Sequence, residues 1–204
     1  VDARNQLWIG TENAGLVRMS ADRRQLHFYD RSSQPLMGTN TVWSLATTPD
    51  GAIWFGTHEG GLYRLDNQDR LQRFLPEANN PRSLPAASVP YLATLADGSL
   101  WVGTKHGVAR WTGTDFERIG GDLVPSLLIN GLTAEPDGSL WIGGNHGLVH
   151  WRDGRAHPYL GGAGQPDLVV QALYRDRAAH FAQLLQLFFQ MRPTLGCQGY
   201  RLFF

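Results

Sequence analysis

The chain has 204 residues, 42% apolar and 18% charged, with 18 Lys+Arg against 18 Asp+Glu. That is the composition of a globular protein rather than a disordered one, and the balanced charge lacks the basic footprint of a nucleic-acid binder. A single cysteine, Cys197, excludes an intramolecular disulfide framework and a Cys-rich zinc site.

From the N-terminus, the first apolar segments are Leu7–Gly10, Leu16–Met19 and Gln25–Tyr29. Val42–Ala46 follows, then Asp50-Gly51 and Ile53-Trp54-Phe55-Gly56-Thr57, then Gly61-Leu62-Tyr63-Arg64-Leu65 and Leu71–Phe74. The order recurs with Val89–Leu95, Asp97-Gly98, Leu100-Trp101-Val102-Gly103-Thr104 and Asp115–Ile119. It recurs again with Leu132–Ala134, Asp137-Gly138, Leu140-Trp141-Ile142-Gly143-Gly144, Gly147–Trp151 and Ala156–Tyr159. The anchoring tryptophans Trp8, Trp54, Trp101 and Trp141 are spaced by 46, 47 and 40 residues.

Each unit reads as strand, Asp-Gly hairpin, strand, Gly turn, strand, turn, strand. Asp-Gly suits a two-residue hairpin in which both central residues take positive φ. The Leu-Trp-Ile strand does not alternate apolar with polar residues, which marks a sheet covered on both faces. A four-stranded sheet of ~40–45 residues covered by copies of itself is a propeller blade. The glycine two places after each Trp admits close approach by a neighbouring blade. No helical periodicity runs between residues 1 and 174, so a helical solenoid is excluded. The expected fold is all-β, a β-propeller segment of about four four-stranded antiparallel blades forming an incomplete ring. Residues 1–175 carry the repeats, with blades at about 1–35, 40–75, 88–120 and 129–160 and the inner strand of a further blade at 168–175. Trp54, Trp101 and Trp141 are expected to be buried at blade–blade contacts.

The sequence opens inside a blade, and residues 176–204 carry no repeat. In that tail, Phe181, Leu184, Leu185 and Phe188 have helical spacing. A helix packed on the propeller, the start of another domain and a reading-frame or gene-boundary artefact all fit it. The loss of a strong repeat in mid-unit favours the artefact. No apolar run reaches the ~18 residues of a membrane span, and no signal-peptide pattern opens the sequence. The spare inner strand either pairs beside Leu7–Gly10, closing four blades, or begins a fifth in an open arc. The open arc is expected.

Val42-Trp43-Ser44-Leu45, then Asp50-Gly51-Ala52-Ile53-Trp54-Phe55-Gly56-Thr57, then Gly60-Gly61-Leu62-Tyr63-Arg64 resembles the two-component regulator propeller repeat. Asn79-Asn80-Pro81-Arg82-Ser83-Leu84-Pro85 resembles that family's connection between blades. No Trp is followed by Asp, so the WD40 dipeptide is absent. The resemblance implies a non-enzymatic, periplasmic sensor region of hybrid histidine kinases and diguanylate cyclases. It would bind a small-molecule or glycan ligand without a cofactor and act through a downstream signalling domain. The alternatives are a propeller lyase resembling streptogramin lyase, whose repeats tend to read Trp-Phe-Thr-Glu, and a bare protein-interaction scaffold.

The motifs that suggest chemistry are incomplete. His58-Glu59-Gly60-Gly61 begins like a zincin motif, but Leu62 stands where the second His is needed and the glycines break the helix. Gly98 and Gly103 have P-loop spacing, but Thr104 replaces the lysine. No Gly-x-Ser-x-Gly elbow offers a nucleophile. His106 and His146 occupy equivalent turns, where neighbouring blades carry side chains away from a common point instead of converging on a metal. No catalytic or metal-binding residue is expected. Recognition is assigned to the loops of one rim, because loops vary without unfolding the scaffold. The expected ligand-facing residues are Trp43, Arg82, Tyr91, Lys105, His106, Asn130, Asn145 and His146.

Overall fold

Fifteen β-strands build four antiparallel sheets in the computed structural model, which describes residues 1–119, 129–145, 147–160, 169, 170 and 173. The first sheet has three strands, β1 (Leu7–Gly10), β2 (Leu16–Met19) and β3 (Leu26–Tyr29). The second runs β4 (Val42–Thr47), β5 (Ile53–Thr57), β6 (Leu62–Leu65) and β7 (Leu71–Phe74). The third runs β8 (Tyr91–Thr94), β9 (Leu100–Thr104), β10 (Gly107–Trp111) and β11 (Phe116–Ile119). The fourth runs β12 (Ile129–Ala134), β13 (Leu140–Gly144), β14 (Gly147–Arg152) and β15 (Arg155–Leu160). No helix occurs among the described residues. The tail 176–204 and most of the strand expected at 168–175 lie outside them.

Each Asp-Gly hairpin departs from the expected two-residue turn. Gly51 N–H donates to Thr48 O at 2.8 Å and Thr48 N–H donates to Ala52 O at 3.2 Å. Only Gly51 has positive φ, at 80°, while Asp50 does not. This is a type I turn followed by a left-handed glycine, the three-residue hairpin loop. Gly98 and Gly138 repeat it with φ of 83° and 84°. The aspartate has a different task. Its Oδ1 accepts the N–H two residues on, from Ala52, Ser99 and Ser139 in turn, the Asx arrangement that favours Asp at such a position.

Sheets stack through one recurrent relation. The Trp and the Gly two residues later face the following sheet's inner strand. A Cβ on Gly10 would meet Val42, one on Gly56 Val89, one on Gly103 Ile129 and one on Gly143 Val170. Backbone bonds repeat beside these contacts: Val42 N–H to Thr11 O at 2.8 Å, Val89 N–H to Thr57 O at 3.0 Å and Val170 N–H to Gly144 O at 3.0 Å. Val170 therefore takes the place against the fourth sheet that Val42 takes against the first and Val89 against the second, and the described sheets form an open arc as expected.

Three apolar clusters fill the spaces between sheets. Leu16, Tyr29, Val42 and Phe55 join the first two, Trp54, Leu84, Val102 and Phe116 the next two, and Trp101, Ile129 and Ile142 the last two. Trp54 meets Trp111 at 5.2 Å between centroids, and Trp101 meets Trp151 at 5.6 Å. Trp54 and Trp101 are 1% and 2% exposed. Trp141 departs from expectation, being only half-buried. On the fourth sheet, Gly143 lies against Val170 and Leu173, and Gly131 against Leu173. The Trp141 ring stacks on His150, 4.1 Å away.

Candidate functional site

The inner strands β4 and β12 each carry one extra residue at the start of their pairing. Val42 opposes Thr57 and Ser44 opposes Gly56, which leaves Trp43 unpaired. Ile129 opposes Gly144 and Gly131 opposes Gly143, which leaves Asn130 unpaired. Such a bulge re-aims the side chain of its extra residue. Trp43 is 45% exposed, in a sheet where Trp54, Phe55 and Tyr63 are buried.

Trp43 lies beside the β5–β6 turn, its ring 4.5 Å from the ring of His58. The same turn holds Glu59 at a positive φ of 57°. Glu59 Oε1 is 3.9 Å from His58 Nε2 and 3.6 Å from Nζ of Lys105, which comes from the β9–β10 turn of the next sheet. Four side chains from two sheets thus form one partly exposed group, with an aromatic face, a carboxylate and an ammonium. Both ions are partly exposed, so this ion pair adds little stability. Among the described residues, no three His, Cys, Asp or Glu side chains come together to hold a metal ion.

A second pair lies on the same rim. Asn130 donates from Nδ2 to Asn145 Oδ1 at 3.3 Å and to Val170 O at 2.9 Å. It ties the fourth sheet to Val170, as the Ser44 hydroxyl ties the second sheet to Val89 by donating to Val89 O at 2.9 Å. His106 is exposed in the β9–β10 turn. His146 lies outside the described residues.

Arg82 and Tyr91 lie elsewhere. Arg82 is bound through both Nε and Nη2 to the Asp115 carboxylate. It belongs to a connector clamped on the outer strand of the third sheet. Phe116 N–H donates to Arg82 O at 3.0 Å, and the Arg118 guanidinium donates to Asn80 O, Ser83 O, Ser83 Oγ and Leu84 O. Leu84 is fully buried under it. The Asn80-Pro81-Arg82-Ser83-Leu84 segment is thereby explained by structure alone. Tyr91 is half-buried against the cluster between the third and fourth sheets, and burial raises the pKa of its phenol.

His58 and Glu59 are the site residues that sequence reasoning passed over. Their failure as a zincin motif drew attention from their position, the same turn that carries Lys105-His106 one sheet on and Asn145 two sheets on.

Residues 37–59 match the family model of the two component regulator propeller. The unit around β4 and β5 is of that kind. The matched stretch runs from the buried Met37 through β4 and β5 to Glu59, and so contains Trp43, His58 and Glu59. Comparison with curated proteins gave no match. Among solved structures, the chain is similar to the extracellular domain of a hybrid two component system from B. thetaiotaomicron. The TM-score is 0.67 and the identity 20%, over 87% of this chain and 24% of that one. A second such domain from the same organism gives 0.62 and 20%, over 84% and 23%. Virginiamycin B lyase from Staphylococcus aureus gives 0.60 and 17%, over 85% and 57%. The chain therefore spans about a quarter of the length of those extracellular domains and just over half of the lyase. At these identities the shared property is the propeller fold.

Proposed function

We propose that the chain is a non-enzymatic recognition module of an extracytoplasmic signalling protein, placed in the periplasm. It binds a small-molecule or glycan ligand at the rim and acts through an output domain outside these 204 residues. The observation that carries the reading is the Trp43–His58–Glu59–Lys105 group. An exposed indole, raised from the sheet by a bulge, lies beside charged groups from the adjacent sheet. An aromatic face with polar neighbours holds a ligand by stacking and hydrogen bonding, with no nucleophile or proton-transfer step required. The likeness to extracellular domains of two component systems supports the signalling role. No helix among the described residues is long and apolar enough to cross a membrane.

The competing reading is an enzyme, since a propeller lyase shares the fold. Thermal-shift screening of the purified chain against soluble oligosaccharides and small organic acids separates the two. Hits should raise Tm in wild type, lose the effect in Trp43→Ala and be recovered chemically unchanged. Saturable conversion of a hit, abolished by one substitution, would establish the enzyme instead.

A further inference from the structure

Two hydroxyl residues that belong to no strand anchor the backbone of the rim group. Thr41 directly precedes Val42, and Ser88 directly precedes Val89. Each carbonyl holds the first residue of a rim turn: Thr41 O accepts the His58 N–H at 3.1 Å, and Ser88 O accepts the Lys105 N–H at 3.2 Å. The hydroxyls reach back to the turn of the sheet before. Thr41 Oγ1 donates to Glu12 O at 2.7 Å, whereas Ser88 Oγ accepts the Glu59 N–H at 3.2 Å. Ser88 therefore holds both charged members of the group, Glu59 by its side chain and Lys105 by its backbone.

Glu59 needs such a hold. Its φ of 57° lies in the left-handed region, which is costly for a residue with a Cβ. The rest of the turn is fixed by Gly61 N–H donating to Ala87 O at 2.9 Å and by Arg73 Nε donating to Gly60 O at 2.8 Å. Ser88, itself buried, supplies the bond to Glu59. The pair of Glu59 with Lys105 is open to solvent, and an exposed pair of that kind does not by itself keep a side chain in place. The carboxylate stays between His58 and Lys105 because the backbone beneath it is pinned.

We propose that Ser88 is the positioning residue of the rim site and that, by holding Glu59 against Lys105, it sets the site for uncharged polar ligands. This rests on the reading of the rim as the binding surface. With the carboxylate held there, an anion approaching the Trp43 face meets no unpaired ammonium, and a cation meets no unpaired carboxylate. Once Glu59 is released, the only lysine of the chain stands unmatched in the group and draws anions. The chain as a whole is balanced at 18 Lys+Arg and 18 Asp+Glu, so no overall field favours either sign. Ser88 thus selects by charge without touching the ligand.

Quenching of Trp43 fluorescence in the 204-residue chain tests this, with iodide as the anionic probe, caesium as the cationic and acrylamide as the neutral one. The work is done at equal, low ionic strength, where screening is weak. Each constant is normalised to free N-acetyltryptophanamide, and the share of Trp43 is the difference between each protein and its Trp43→Phe counterpart. Wild type should quench with an iodide-to-caesium ratio close to that of the free indole. Ser88→Ala should raise the ratio about twofold through the freed ammonium, with acrylamide quenching unchanged. Glu59→Gln should raise it at least as much. Ser88→Thr should keep the wild-type ratio, since Thr41 carries the same hydroxyl in the preceding connector. An unchanged ratio in Ser88→Ala or in Glu59→Gln would overturn the proposal. So would a high ratio in wild type, a Ser88→Thr variant that behaves like Ser88→Ala, or acrylamide quenching that rises with that of iodide, the mark of general loosening. No ligand enters the measurement, so its failure leaves rim binding standing, and an empty thermal-shift screen leaves the placement of Glu59 standing.

Discussion

Gly56 faces Val89 so closely that a Cβ at Gly56 would overlap the Val89 carbonyl oxygen and the Ser44 hydroxyl. The φ of Gly56 is not positive, so the glycine is needed for space rather than backbone freedom. Gly56→Ala should destabilise by about 1–3 kcal/mol, the usual cost of overpacking. Urea unfolding checks it; a loss under about 0.5 kcal/mol, the ordinary surface range, would mean the sheets separate without difficulty.

Trp101 and Trp141 hold the same place in the repeat and differ in what covers them. Trp101→Ala should cost about 3–5 kcal/mol, as for a buried aromatic. Trp141→Ala should cost clearly less, because its ring is half-buried beside His150 and Tyr159. Equal losses by chemical denaturation would contradict the open end of the arc.

Arg118 on the third sheet and Arg82 on the connector clamped to it should behave differently. Arg118 donates to two carbonyls and a hydroxyl of residues 83–84 as well as to Asn80. Arg118→Ala should lose about 1–3 kcal/mol, since buried acceptors lose charged donors. Arg82→Ala breaks a surface pair with Asp115 and should lose less than about 1 kcal/mol. It should also leave ligand binding at the rim unchanged; a weakened hit in Arg82→Ala would move the site toward the connector.

Stability should fall in acid in two stages. Burial holds the His150 pKa below its ordinary value. The unfolded chain therefore takes up protons first as pH drops through about 6.5, and stability present above that pH declines. Asp97 and Asp137, held low by hydrogen bonds from Ser99 and Ser139, retain their charge when folded. Their contribution, present above about pH 4, is lost as pH falls further. His150→Gln should remove the upper stage alone. A fall in Tm between pH 7 and 5 as large in that variant as in wild type would refute the assignment.

The fold was legible because its cause is repeated. Each Leu-Trp-x-Gly strand states both the ring that fills an interface and the gap that admits the next strand. The hairpin was misread because Asp-Gly fits two turns. Only the residue ahead of the pair shows that Pro49, Asp50 and Gly51 form one three-residue loop. Trp141 was misread because its strand matches the others and its burial depends on a neighbour. The rim was legible in part. Trp43, Lys105, Asn130 and Asn145 lie there, while Arg82 is tied to Asp115 by a contact 33 residues apart that local sequence does not signal. His58 and Glu59 were hidden by a turn that reads as scaffold.

The most direct test follows the seven indole N–H resonances of the chain while a thermal-shift hit is titrated in. The account predicts that the Trp43 resonance moves in a saturable way, those of Trp54 and Trp101 stay fixed, and the compound is recovered intact. A saturable shift that spares Trp43, or turnover of the compound, would contradict it.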